Sequence, residues 1–171
     1  MGDSIMTALD AAELVLGLRN AGVRCWVMGG WGIDALLRRE TRPHHDLDLL
    51  VRVEDLPAAN AWLRGEGFER RYAWEENQPV RIAKQVYDTA FVDGHEDGRE
   101  VDVHAVEVDV HTQVRLATTD PWDLPADTLT GVGVINGRRV NCVTRAAQVM
   151  MHRGYDLPQK HRDDLSLLDG S

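Results

Sequence analysis

The chain has 171 residues, 43% of them hydrophobic and 27% charged, with a mean hydropathy of −0.34. That is the composition of one globular domain with enough apolar material for a core, and it excludes disordered, collagen-like and membrane-spanning classes. The formal charge is −9, and the excess is local: residues 88–127 hold eleven acids and only two bases, Arg99 and Arg115. A general grip on nucleic acid needs clustered Lys and Arg, so nucleic acid is not expected as a partner, whereas a small cation would be drawn to this stretch.

In chain order, residues 7–21 carry Leu9, Leu14, Val15, Leu16 and Leu18 at helical spacing and stop before Gly22. A short apolar run over 23–28 predicts a buried strand. Gly29-Gly30 ends it, and a helix is expected over 31–39. The run 46–51 predicts a strand that opens with alternating charged and apolar residues, and 54–65 a helix with Leu56, Ala59 and Leu63 on one face. Strands are expected over 80–84, 86–92 and 100–108, with a turn at 93–98, and residues 109–127 read as loop. Asn136-Gly137 between 131–135 and 138–143 is the strongest hairpin signal in the chain. Thr144 is placed to cap a helix through His152, and a last helix is expected from Pro158 to about Leu168. The mixture predicts an α+β (mixed α/β) fold, a mixed sheet flanked by helices, with C-terminal helices.

Cys25 and Cys142 sit in apolar runs and read as buried thiols rather than a disulfide framework. The first residues lack a signal peptide's basic start, and no apolar run reaches the roughly 20 residues of a membrane span. The expectation is a reduced, cytoplasmic protein with no membrane partner. Of five tryptophans, Trp26 and Trp62 have core periodicity, and Trp31 follows the glycines directly. Trp74 and Trp122 fall in loop-like regions, where each either lines a pocket or covers the core.

The informative region is Gly29-Gly30-Trp31 followed by Arg42, His44, Asp46 and Asp48. Asp46 and Asp48 are two apart on a strand, so their carboxylates project from one face. Like charges so close are costly unless a cation lies between them, and an oxygen-only donor set favours Mg²⁺ over zinc. The glycine turn adds a second component, because main-chain N–H groups at the start of a helix bind phosphate and residues without side chains allow close approach. The combination points to a metal–nucleotide site. The seven histidines show no paired-ligand spacing, which leaves a zinc hydrolase last among the readings.

Taken together, these residues resemble the nucleotidyltransferase superfamily, whose signature is a Gly-Gly or Gly-Ser turn, a short helix and a strand with Asp-x-Asp. Fifteen residues separate Gly30 from Asp46, slightly more than in the general pattern. The string Gly29-Gly30-Trp31-Gly32-Ile33-Asp34, with Arg42, His44, Asp46 and Asp48, looks like the small antibiotic nucleotidyltransferases: the lincosamide enzymes and the related aminoglycoside 2''-adenylyltransferases. Val101-Asp102-Val103-His104 matches their third carboxylate. Gly137 to Cys142, Ala147-Gln148 and His152 to Leu157 look closest to the lincosamide group. The match spans about 22–168 and is poor over 68–84 and 109–128.

The resemblance implies a single nucleotidyltransferase domain over 1–171, with a catalytic core at about 22–108 and a C-terminal hairpin and helices at about 131–168. It implies a Mg²⁺-dependent transfer of a nucleoside monophosphate, AMP from ATP being the expected case, onto a hydroxyl of a small, cationic antibiotic. Asp46 and Asp48 would ligate two Mg²⁺ ions; Asp102 would complete the second metal site or deprotonate the acceptor. Gly29, Gly30, Trp31, Arg42, Arg81 and Lys160 are the candidate nucleotide contacts, Arg42 through its planar guanidinium. His44 and His104 are candidates for supporting the carboxylates or reaching the acceptor, and Asp34 for bonding the Arg42 loop. Tyr155 and Asp156 are expected to tie the last two helices together. Two alternatives stand beside this reading: an antitoxin-like transferase acting on a protein partner, and a nucleotide-binding module without turnover. A homodimer is left open.

Overall fold

Where the strands carry the candidate carboxylates, these alternate with buried apolar residues, and this alternation divides that end of the sheet into two chemically different faces. The computed structural model of the protein describes residues 5–119, 121, 123–151 and 166–168. The chain runs α1 (Ala8–Asn20), β1 (Cys25–Met28), α2 (Gly29–Leu37), β2 (Asp46–Arg52), a 3-10 turn (Val53–Asp55), α3 (Leu56–Gly65) and β3 (Glu69–Ala73). It continues with β4 (Val80–Ile82), β5 (Gln85–Tyr87), β6 (Ala90–Gly94), β7 (Glu100–Val108), β8 (Val114–Leu116) and β9 (Asp123–Leu124). A second 3-10 turn (Thr128–Thr130), β10 (Gly131–Ile135), β11 (Arg138–Cys142) and α4 (Arg145–Met151) follow. The mixed sheet flanked by helices is the α+β class predicted from the sequence.

The main sheet has the order β10-β11-β1-β2-β7-β6-β3, with β8 on β7 and β9 on β8; β4 and β5 form a separate hairpin. β1 is parallel to β11 and antiparallel to β2, and β2 is parallel to β7. Leu47, Leu49 and Val51 of β2 and Val101, Val103 and Ala105 of β7 join Leu14 and Leu18 of α1 and Leu56 and Leu63 of α3 in the larger core. The other face is apolar only at one end, where Trp26, Met28, Leu50 and Val106 pack with Val143 and Ala147. Asp46, Asp48 and Asp102 alternate with the first set, so they stand on the second face.

Several boundaries differ from the sequence expectation. The second helix starts at Gly29 rather than Trp31, because a positive φ of 63° at Gly29 turns the chain directly out of β1. The strand expected over 86–92 breaks after Tyr87: Asn77 Oδ1 accepts the N–H groups of Thr89 at 2.7 Å and Ala90 at 3.1 Å, which a partner strand would otherwise take. Residues 109–127 are not all loop, since they supply β8 and β9, strands of three and two residues. The Asn136-Gly137 hairpin forms with φ of 52° and 73°, the doubly positive pair that a two-residue turn requires. Thr144 caps α4 as expected, its Oγ1 accepting the Ala147 N–H at 3.3 Å. Cys25 and Cys142 are both buried and free, and burial pushes their thiols up to about 12 and about 11. Among the described residues no helix is long and apolar enough to cross a membrane.

Candidate active site

The glycine turn is shaped by what presses against it. Met28, the residue before α2, is extended and makes no capping bond, so the first-turn N–H groups of the helix have no side-chain cap. A Cβ at Gly29 would run into the Asp48 carboxylate. At Gly30 it would lie 2.6 Å from the His44 ring and 2.9 Å from the Arg42 guanidinium. The absence of side chains therefore brings a carboxylate, an imidazole and a guanidinium against one turn of main chain.

The loop carrying Arg42 is held from below. Asp34, 2% exposed, accepts the Thr41 N–H at 3.0 Å and the Thr41 hydroxyl at 2.5 Å, and its Oδ2 lies 2.7 Å from His44 Nε2. His44 is itself 3% exposed and packs on Trp31, ring centroids 4.5 Å apart. Asp34 thus bonds the Arg42 loop, as expected from the sequence. Trp31, a candidate nucleotide contact, is buried in the larger core, with its ring against His44.

The three carboxylates follow from strand register. Met28 pairs with Asp48 across β1 and β2, and Asp48 pairs with Asp102 across β2 and β7, so Asp48 and Asp102 stand side by side on strands about 4.8 Å apart. Asp46 lies two residues along on the same face, exposed, opposite Glu100. Asp102 is not alone: its Oδ1 accepts the indole N–H of Trp74 at 2.9 Å and lies 3.4 Å from His104 Nδ1. His104 Nε2 in turn lies 3.0 Å from Glu76 Oε1. Burial works against a charged His104, but bonding and charge from Asp102, then from Glu76, outweigh it and raise its pKa.

Beside this cluster Tyr72 packs edge-on against Trp74, centroids 5.0 Å apart, with both rings partly exposed. Burial, and after it the charges of Asp102, Glu100 and Asp46, push the Tyr72 phenol up. The negative field is therefore felt at an aromatic pair. Elsewhere the acidic stretch is partly neutralised: Arg70 pairs with Asp88 and Asp93, Arg99 with Asp97, and Arg115 with Asp123.

Asp46, Asp48 and Asp102 offer only oxygen donors from one face of the sheet, which suits a hard divalent cation such as Mg²⁺ in donor type. In the arrangement seen, no three His, Cys, Asp or Glu side chains among the described residues gather around one point, and one Asp102 oxygen is engaged by Trp74. Arg81 is exposed on β4, in the hairpin outside the main sheet, and no strand ladder joins it to the carboxylates or the glycine turn. Lys160, Trp122, Tyr155 and Asp156 lie outside the described residues. Sequence spacing does not resolve Trp74 and does not point to Tyr72 or Glu76, because their contacts join residues far apart in the chain.

A profile of the family described as aminoglycoside-2''-adenylyltransferase matches residues 11–168. A lincosamide resistance protein of Staphylococcus haemolyticus is 23% identical over 148 residues, covering 85% of this chain and 84% of that protein. Among solved structures, the lincosamide antibiotic adenylyltransferase LnuA, lincomycin-bound, superposes with a TM-score of 0.72 at 21% identity, covering 89% of each chain. ANT(2'')-Ia in complex with adenylyl-2''-tobramycin gives the same TM-score, 0.72, at 20% identity, covering 95% of this chain and 87% of that one. The two structures share the fold, and the profile match runs through nearly the whole sequence: the chain belongs to the aminoglycoside-2''-adenylyltransferase family.

Proposed function

We propose that the protein transfers AMP from ATP to a hydroxyl of a small antibiotic, a lincosamide or an aminoglycoside, and releases pyrophosphate. The observation that carries this reading is the meeting of the Asp48 carboxylate with the Gly29 turn while Asp102 stands beside it in register. A metal-binding carboxylate, a phosphate-binding turn and a second carboxylate are then within one small area. The family and the named relatives give the antibiotic class its support.

In this reading the α2 N-terminus at Gly29 and Gly30 and the guanidinium of Arg42 hold the triphosphate, main-chain N–H groups and a planar cation both being suited to phosphate oxygens. Lys160 and Arg81 are proposed as further phosphate contacts. Asp46 and Asp48 would hold two Mg²⁺ ions, with Asp102 nearby. Bound there, Mg²⁺ supplies charge neutralisation on the phosphates and at the attacking and leaving oxygens. The acceptor hydroxyl attacks the α-phosphorus in line, and the bond to pyrophosphate breaks as the new P–O bond forms. Asp102 either takes the hydroxyl proton or completes the second metal site; the Trp74 N–H and His104 hold its carboxylate in place for both roles. A cationic acceptor would sit against Tyr72 and Trp74, where the aromatic faces and the field of Asp102, Glu100 and Asp46 both favour positive charge.

A pyrophosphate-release screen of nucleoside triphosphates against lincosamides and aminoglycosides, in Mg²⁺ buffer, tests this directly. Release that requires both ATP and one antibiotic class, with the adenylylated antibiotic seen by mass spectrometry, is the expected result. Rising salt should raise the apparent KM of a polycationic acceptor, since these charges are near the surface. Tight ATP binding with no product under any acceptor would instead favour the binding-module reading.

A further inference from the structure

The buried amide of Gln148 reaches 119 residues back along the chain to the glycine turn. Gln148 lies on α4, is 1% exposed, and its Nε2 donates to the main-chain oxygen of Gly29 at 3.3 Å. The same nitrogen sits in a notch made by a third glycine: a Cβ at Gly32 would lie 2.5 Å from it and 2.9 Å from the Val27 oxygen. A polar side chain so completely buried is costly unless it is bonded, and here its Nε2 bonds the Gly29 carbonyl. A carbonyl oxygen accepts two bonds, so this one adds to the helical bond rather than replacing it.

The peptide joining Gly29 to Gly30 is trans, so its C=O and N–H point in opposite directions. Fixing the Gly29 oxygen on the α4 side therefore fixes the direction of the Gly30 N–H on the other. That N–H belongs to the first turn of α2, among the donors the helix itself cannot use. The Gly30 position is also where the Arg42 guanidinium and the His44 ring approach the main chain.

We infer that Gln148 is a positioning residue for the nucleotide: by holding the Gly29 carbonyl, it sets the peptide whose N–H faces the phosphates and keeps Gly29 seated against Asp48. The inference rests on the proposal that the triphosphate binds at this turn. It assigns α4 a part in donor affinity, not in acceptor recognition.

The test uses the full chain and separates the two claims. Affinity for Mg·ATP is measured by calorimetry, with KM for nucleotide and for antibiotic measured separately, on wild type, Gln148→Met, Gln148→Glu and Gly32→Ala. Gln148→Met keeps the side-chain volume and removes the donor. Its nucleotide Kd and KM should rise about five- to tenfold, the size of one lost hydrogen bond, with the acceptor KM unchanged within about twofold. Gln148→Glu, which turns a carboxylate toward the Gly29 oxygen, should lose more. Gly32→Ala, which displaces the amide but also meets the Val27 oxygen at 2.9 Å, should lower nucleotide affinity at least as much as Gln148→Met, and the double variant should lose no more than the larger single change.

Folded variants, verified by circular dichroism, that keep wild-type nucleotide affinity would overturn the inference. So would nucleotide and acceptor KM rising together, which marks general loosening. Failure of the wild type to bind Mg·ATP would overturn the triphosphate site itself, and the role of Gln148 with it.

Discussion

The carboxylate of Asp48 fills the space that a side chain on Gly29 would need, so the residue proposed to hold metal and the residue proposed to admit phosphate are in contact through a missing Cβ. The strand register makes this contact, since Met28, the neighbour of Gly29, pairs with Asp48. Two short pieces of sequence 19 residues apart are thereby locked to one geometry.

Gly29→Ala breaks that geometry in two ways. A Cβ at a φ of 63° costs about 1–2 kcal/mol, and it must also displace the Asp48 carboxylate. The melting temperature should fall by roughly 3–8 °C. Pyrophosphate release should fall by about 10²-fold, the effect of moving a reacting group by about an ångström. A variant that melts lower but turns over normally would detach the turn from the chemistry.

Trp74 joins the aromatic pair to Asp102 by one hydrogen bond. Trp74→Phe keeps a ring and removes the indole N–H, so kcat should fall about three- to tenfold, below the full value of a bond to a charged group because the site is partly exposed. Trp74→Ala also removes the ring and should raise the acceptor KM further, leaving nucleotide KM unchanged. Steady-state kinetics with each substrate varied in turn distinguishes the two effects. Equal kinetics for Trp74→Phe and wild type would make the indole N–H irrelevant to Asp102.

Acid stability has a specific source at the start of β1. Asp55 accepts from the Arg24 main-chain N–H and guanidinium, both at 2.9 Å. Burial alone would raise its pKa, but those bonds and the charges of Arg24 and Arg52 outweigh it and hold Asp55 below its ordinary value of 3.8. A depressed folded-state pKa contributes stability that is present above 3.8 and lost as the pH falls through the lower folded value. Asp55→Asn should therefore lower the melting temperature at pH 7, and the gap to wild type should narrow below pH 3.8. A gap constant down to pH 2.5, roughly a unit below that value, would remove this pair as a source of acid sensitivity.

What was legible in the sequence was local. Alternation gave the faces of β2 and β7, the glycine and asparagine turns gave their own geometry, and Asp34, seven residues from Thr41, was within reach of a short-range argument. What was hidden depends on register between distant segments. β3 reads Glu-Arg-Arg-Tyr-Ala, lies at the sheet edge and is exposed throughout, so it carries no buried apolar face and leaves no apolar alternation in the sequence. Its register shift between Arg70 and Tyr72 precedes Tyr72 and the Trp74 that meets Asp102, and no spacing rule supplies it. In sequence the acidic stretch reads as one attracting surface, but Arg70, from outside it, pairs with two of its members, Asp88 and Asp93. Gln148 is a lone glutamine in a helix until Gly29 is seen beside it.

Asp48 is proposed to act in nucleotidyl transfer from this turn. The most direct measurement compares wild type with Asp48→Asn, which keeps shape and removes charge, in a coupled pyrophosphate assay with Mg·ATP and the antibiotic that the screen identifies. Wild type should turn over to an adenylylated product, and a folded Asp48→Asn protein should lose about 10³-fold or more of that rate. Pyrophosphate release that persists in Asp48→Asn at the wild-type rate would contradict it.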